Sequence, residues 1–239
     1  MLLSWRHRMP TIASENLLKT ILELGENGEP VIAARLAELL RISSAAVSMA
    51  LKRLQKKGYV QTSGRHSLRL TRSGYRAASA LVRRHRLVER LLTDMLHMPW
   101  DKVHEEAEKL EHAISPELEK RLLSLFGRSG RCPHGNPFHP APLPPRPGCF
   151  RLTEAPEKQP LRVVRIAELH EKEKEFLNSL AKAGLLPGSK LLLARRTFDN
   201  VLELRVGGRK AIFSQRSGSR IWVETVEKKG RKQLRKKTG

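Results

Sequence analysis

A stretch rich in Gly, Pro, Arg and His, running from Gly127 to Pro160, divides this chain into two unlike halves. Before it, apolar residues recur at helical spacing. Beyond it come short β-type runs separated by Gly-rich turns. A chain of 239 residues has room for one to three small domains. Helices followed by strands, rather than alternating with them, predict an α+β architecture.

Residues 11–24 place Leu17, Leu18, Ile21, Leu22 and Leu24 at amphipathic spacing, with Ser14 as the expected N-cap. The GENGEP segment at 25–30 breaks this helix, and residues 31–40 form a second. Ser43 or Ser44 caps a third helix that runs to about Lys57, where Gly58 stops it. The runs YVQT (59–62) and SLRL (67–70) then predict a hairpin. Three helices and a hairpin in this order predict a winged helix-turn-helix, with its third helix in the major groove of double-stranded DNA. Ser43, Ser44, Ala45, Ser48 and Met49 are the candidate base-facing positions, while Lys52, Arg53, Lys56 and Lys57 can reach phosphates. Arg65 and His66 fall at the wing tip. The base-facing set lacks the Arg, Asn or Gln that reads a purine edge bidentately, so part of the readout is expected through DNA shape.

The next helical regions carry the histidines and carboxylates. One runs from Thr71 to about Arg90 and holds His85 and Glu89. The other, opened by Pro99-Trp100-Asp101, holds His104, Glu108, Glu111 and His112. At roughly 100° per residue, positions i, i+4, i+7 and i+8 share a helix face, so four ligands are expected to look the same way in the second helix. Imidazole mixed with carboxylate suits iron(II), manganese(II) or zinc(II). A catalytic ion would also need a nucleophile or base beyond its ligands. The sequence offers none, and an enzyme is not expected. Cys132, His134 and His139 (C-x-H-x₄-H) lie among prolines and read as a structural turn rather than a zinc site.

A formal net charge of +22 implies a polyanionic partner, held by phosphate neutralisation and counterion release. No apolar run approaches the ~20 residues of a membrane span, so a cytoplasmic protein without membrane contact is expected. Residues 1–10 read as a disordered leader. Two cysteines, Cys132 and Cys149, make no disulfide framework. The second half offers five strands, LRVVRI, KLLLARR, VLELRV, KAIFSQ and RIWVETV, and a short helix at about Lys174–Ala183, which suggests a small barrel.

The segments RRHRLVERLL, MPWDKVHEEAEKLEHAIS and CPHGNP, in this order after a winged helix, resemble the diphtheria toxin repressor family. These are metal-activated bacterial repressors with iron-responsive and manganese-responsive members, and the resemblance runs from Thr11 to Val226. It implies a homodimer on a palindromic operator. The implied parts are a winged helix at 11–74, a helical dimerisation and metal-binding domain at 75–128, a Pro-rich linker at 129–160 and an SH3-like barrel at 161–226. The tail at 227–239, basic and almost without apolar residues, reads as disordered. Trp100 is placed in the dimerisation domain. His85, Glu89 and His104 carry over as ligands of an ancillary site, and Glu108, Glu111 and His112 as ligands of a regulatory site. Glu108 stands where iron-type members have cysteine and manganese-type members glutamate. Asn16 stands at the place of a Met or Asp ligand, and Lys19 at that of a carboxylate in manganese-type members, although a charged ammonium cannot be a ligand. Metal choice therefore stays open between Mn2+ and Fe2+. The SH3-like domain lends ligands in iron-type members, and Glu173 and Glu175 are the candidates here. The implied function is a metal-dependent repressor of metal-uptake genes; the alternative is a winged-helix regulator whose metal response is lost or altered.

Overall fold

The computed structural model describes residues 11–63, 67–140, 148–168 and 173–226. The expected leader at 1–10, the wing-tip residues Arg65 and His66, the side chain of Glu173 and the basic tail at 227–239 lie outside the described residues. Helix α1 (Ile12–Glu26) starts one turn earlier than its apolar pattern suggests, because Thr11 rather than Ser14 is the N-cap. The Thr11 hydroxyl accepts from the Ser14 amide. Helix α2 (Ala33–Leu40) ends on Arg41 in the left-handed region, and α3 (Ser44–Lys56) is capped by Ser43, which accepts from the Ala46 amide at 3.1 Å. Strands β1 (Val60–Ser63) and β2 (Ser67–Leu70) pair antiparallel as the wing. Leu17, Leu18, Ile21, Leu36, Val47 and Leu54 form the centre of this unit's core.

Helix α4 (Arg72–Asp94) is longer than expected and packs along α1. Its first turn runs against the wing at Gly74. A Cβ there would lie 1.9 Å from the Tyr59 carbonyl oxygen and 3.3 Å from Leu70 Cδ2. Backbone cannot yield as a side chain can, so Gly74→Ala is expected to destabilise the fold by about 1–3 kcal/mol. Denaturant unfolding of the metal-free protein checks this, and unchanged stability would show that wing and helix part freely.

Helix α5 (Val103–Leu110) is followed by a 3-10 turn (Glu111–Ala113) and α6 (Pro116–Phe126), which starts on the expected Ser115 cap with proline in its first turn. The 3-10 turn widens the step from about 100° to about 120° per residue. Glu111 keeps to the buried side with His104, and both reach His85, whereas His112 turns to α1.

Beyond the Pro-rich segment a six-stranded antiparallel sheet forms, in the order β3-β8-β4-β5-β6-β7. Its strands are β3 (Cys149–Arg151), β4 (Pro160–Ile166), β5 (Lys190–Arg196), β6 (Val201–Val206), β7 (Arg209–Ser214) and β8 (Ile221–Thr225). The five expected strands are present. Strand β3 is additional and lies inside the stretch expected to be linker, because Cys149–Arg151 finds a free edge on β8. Helices α7 (Glu173–Ala183) and α8 (Gln215–Gly218) complete the unit, with Leu177 and Leu180 of α7 packed on Leu161, Leu193, Leu204 and Ile221. This unit also meets α1 directly. Arg165, fully buried, donates to Asn27 Oδ1 at 2.5 Å, and Arg151 donates to the Asn27 carbonyl. Trp100, ahead of α5, also meets this unit: its ring packs on the sheet's core and its Nε1 donates to the Pro133 carbonyl at 2.9 Å.

Candidate metal centre and DNA-binding face

Helix α4 turns His85 and Glu89 to its buried side, one turn apart, and α5 brings His104 against them. His85 Nε2 lies 3.1 Å from Glu89 Oε1 and 3.0 Å from His104 Nδ1. Two further elements reach the same space. The chain leaving β4 delivers Glu168, whose Oε1 is 3.3 Å from His104 Nδ1. The turn at 131–137 delivers His134, whose Nδ1 is 3.2 Å from Glu89 Oε1 and in closer contact with Glu168.

Ligand atoms of His85, Glu89, His104 and Glu168 all lie within 4.8 Å of one another, and so do those of Glu89, Cys132, His134 and Glu168. Every one of these residues is buried. Burial alone would raise the carboxyls of Glu89 and Glu168. The imidazoles of His134, His85 and His104 more than offset this at Glu89 and hold it well below the usual carboxylate range. At Glu168, His134 and His104 overcome both burial and the Glu89 charge and hold it at about 2. Burial likewise opposes protonation of His104 and His134, yet the two carboxylates push both far above the usual imidazole range. The Cys132 thiol, buried beside Glu89 and Glu168, is pushed up to about 12.

The arrangement therefore gathers two buried carboxylates that need positive charge, and Glu89 Oε2 has no hydrogen-bond partner among the described residues. Nitrogen and oxygen donors so placed fit a divalent transition-metal ion, which would replace protons as the neutralising charge. A cleft of ≈ 420 Å³, lined by Asp101, His104, Glu108 and Glu175 among others, gives an approach from outside.

The second predicted ligand group turns toward α1 instead. His112 Nδ1 lies 2.8 Å from Glu15 Oε2 and His112 Nε2 lies 2.8 Å from Asn16 Oδ1. Glu111 Oε2 accepts from Lys19 Nζ at 2.7 Å and lies 2.6 Å from His85 Nδ1. Burial raises the Glu111 carboxyl, but Lys19 and His85 prevail and hold it at about 2. Glu108 is partly exposed, with Oε1 3.7 Å from His104 Nε2. The predicted residues thus separate into two neighbouring clusters that share His85 as a wall. Glu175 is exposed on the cleft and does not join either cluster.

Glu168, His134 and Cys132 were not among the expected ligands. The CPHGNP turn does form: the Gly135 amide donates to the Cys132 carbonyl, and Gly135, at φ 84°, passes so close to β4 that a Cβ would meet the Val164 oxygen at 2.4 Å. That tight turn is what aims His134 inward, so the motif carries both readings at once. His139 remains exposed at its edge. Glu168 carries no local signal. It is positioned by Asn136, whose side-chain amide donates to Glu168 Oε2 and to the Ile166 carbonyl, both at 2.9 Å.

On α3, Val47, Leu51 and Leu54 face the core, which leaves Ala45, Ser48, Met49, Lys52 and Arg53 exposed along one side. Ser43 and Ser44 are exposed at the start of the helix, where the Ser43 hydroxyl is engaged as the cap.

Comparison with known proteins agrees with this layout. Residues 10–68 match the iron dependent repressor N-terminal DNA binding domain, residues 71–140 the iron dependent repressor metal binding and dimerisation domain, and residues 150–225 the FeoA domain. The iron-dependent repressor IdeR of Mycobacterium tuberculosis is 35% identical over 223 residues, covering 89% of this chain and 97% of the relative. The diphtheria toxin repressor of Corynebacterium diphtheriae is 35% identical over 77% of this chain and 84% of its own. Among solved structures, a manganese-dependent transcriptional repressor in complex with manganese superposes with a TM-score of 0.77 at 31% identity, over 89% of this chain and all of its own. With these matches running from residue 10 to residue 225 through a winged helix, a buried His/Glu cluster and an SH3-like sheet, the chain belongs to the family of iron-dependent repressors.

Proposed function

We propose that this protein is a metal-dependent transcriptional repressor, activated by Fe2+ or Mn2+ and binding operator DNA as a homodimer. It is a regulator, not an enzyme. The observation that carries the metal reading is the buried cluster of His85, Glu89, His104 and Glu168, extended by Cys132 and His134. Glu89 and Glu168, with His85 and His104, would hold the divalent ion, which would supply the positive charge that the two carboxylates need. The rest is done by the chain itself. Glu168 belongs to the SH3-like unit, which also grips the end of α1 through Arg165 and Asn27. His112 and Glu111, two elements away from the wing, hold the start and middle of α1. Helix α3 packs on α2 and β1 and shares one core with α1, and α1 is held from both the dimerisation helices and the SH3-like sheet.

Such a linkage makes metal and operator binding mutually reinforcing, typically by about 5–150-fold. Fluorescence-anisotropy titration of a palindromic operator, with manganese(II), with iron(II) under anaerobic conditions and with chelator, tests it. Equal affinity in all three would sink the reading. We assign sequence reading to Ser43, Ser44, Ala45, Ser48 and Met49, with Lys52, Arg53 and Arg65 on phosphates. Lys52→Ala and Arg53→Ala are each expected to weaken binding to all sequences alike and to lower the slope of log affinity against log salt by about 0.9. Loss of affinity for one operator only would instead place them on bases. The exposed Leu110, Leu118 and Leu125 of α5 and α6 support a dimer contact on this domain. Among the described residues no helix is long and apolar enough to cross a membrane, and a cytoplasmic site of action accords with DNA as the partner.

A further inference from the structure

Lys19 is the one lysine of α1, and it is only 1% exposed. A buried ammonium must be held by charge, and the ring of groups around this one is made of candidate metal ligands. Its Nζ donates to Glu111 Oε2 at 2.7 Å and lies 3.2 Å from His85 Nδ1, while Glu23 and Glu108 add negative potential nearby. His85 therefore has different surroundings on its two edges. Its Nε2 faces Glu89 and His104, and its Nδ1 faces the Lys19–Glu111 pair. Glu111 and His112, one residue further on, would together with Asn16 offer a second cation position against α1. The Glu111 oxygen that faces His112 is Oε1, and Glu15 stands on the other edge of the His112 ring. The ammonium pairs with Oε2 of the same carboxylate and so brings a fixed positive charge against this position.

We propose that Lys19 is a resident cation of the metal-binding region: it supplies the positive charge beside this second position, so each subunit takes a divalent ion at the His85/Glu89/His104/Glu168 cluster and not at Glu111 and His112. The inference rests on the metal-dependent reading given above and assigns Lys19 a role in metal count. It also explains how α1 is tied to α4 and the 3-10 turn by protein charge alone. Removing that charge turns the position into an empty carboxylate–imidazole site. Lys19→Met keeps the length of the side chain and removes the charge, and Lys19→Glu adds a further oxygen donor.

The test counts manganese(II) ions per subunit by isothermal titration calorimetry and by the electron paramagnetic resonance signal of free manganese, for the wild type and both variants. Each variant is expected to bind one more ion per subunit than the wild type. The metal-free variants are expected to melt below the metal-free wild type, with manganese restoring the difference. Equal counts in wild type and variants would overturn the proposal. So would failure of both variants to fold in the presence of manganese, because a divalent ion is held to be able to replace the ammonium. The increment is independent of the operator measurement. A wild type whose operator affinity ignores metal defeats the repressor reading while a gained ion still supports Lys19, and the converse result separates them equally well.

Discussion

Replacement of Glu89 by glutamine is expected to cost the protein its tight divalent-ion binding while leaving it folded. Glu89 belongs to both overlapping ligand sets, touching His85, His104 and His134 through Oε1. Glutamine preserves its volume but removes the charge, and turns one oxygen into an N–H donor facing imidazole nitrogens. Loss of an outer-shell partner alone typically lowers metal affinity by about 10–100-fold, and loss of a shared carboxylate ligand should reach about 100-fold or more. Manganese titration calorimetry gives the affinity, and the melting temperature in chelator shows whether the fold survives. Operator affinity of the variant should no longer respond to metal. Glu108→Gln is the counterpart: Glu108 is partly exposed and stands 3.7 Å from His104, so its loss should leave the tight ion in place. If Glu108→Gln abolished binding and Glu89→Gln did not, the centre would have to be moved toward the cleft.

The second large effect is expected at Arg86. Its Nη2 donates to Glu26 Oε2 at 2.7 Å and its Nη1 to the Pro137 carbonyl at 2.8 Å, so one guanidinium joins α4, the end of α1 and the ligand-bearing turn. Both partners of the ion pair are about 5% exposed or less. Breaking a buried pair from one side leaves an uncompensated charge and costs about 3–5 kcal/mol. Arg86→Met is therefore expected to lose about that much in denaturant unfolding of the metal-free protein. Adding Glu26→Gln should return part of it, since the stranded carboxylate is gone. A loss below about 1 kcal/mol in the single variant would mean that Arg165, which lies near Glu26, takes over the pairing.

Much of this architecture is legible in the sequence because it depends on local signals. The wing, α3 with its Ser43 cap, and α6 with Ser115 and Pro116 follow from periodicity and caps that act within a few residues. The His85–Glu89 pair is legible for the same reason, both residues lying on one helix. What could not be read is set over long distances. Glu168 reaches the cluster because Asn136, 32 residues earlier, holds its carboxylate. Strand β3 has three residues and no periodicity to find, and exists because β8 offers an edge. The shared face of His104, Glu108, Glu111 and His112 is legible only in part. His104 and Glu111 keep to the buried side, but His112 lies in the tighter turn after Leu110, which no Gly or Pro marks.

The two-edged placement of His85 has one more consequence, which concerns protons. Glu111 Oε2 stands 2.6 Å from His85 Nδ1, and a carboxylate there can only accept. Glu89 Oε1 faces the other ring nitrogen at 3.1 Å, so an acceptor stands at each edge. Burial and the Lys19 ammonium oppose protonation of this ring, but Glu89 and Glu111 prevail and raise it above the usual imidazole range. A divalent ion entering the cluster would have to displace the proton from Nε2, while Glu111 would keep the one on Nδ1. Uptake of metal is thus expected to release a proton from a ring whose other edge is set by the first helix of the DNA-binding unit.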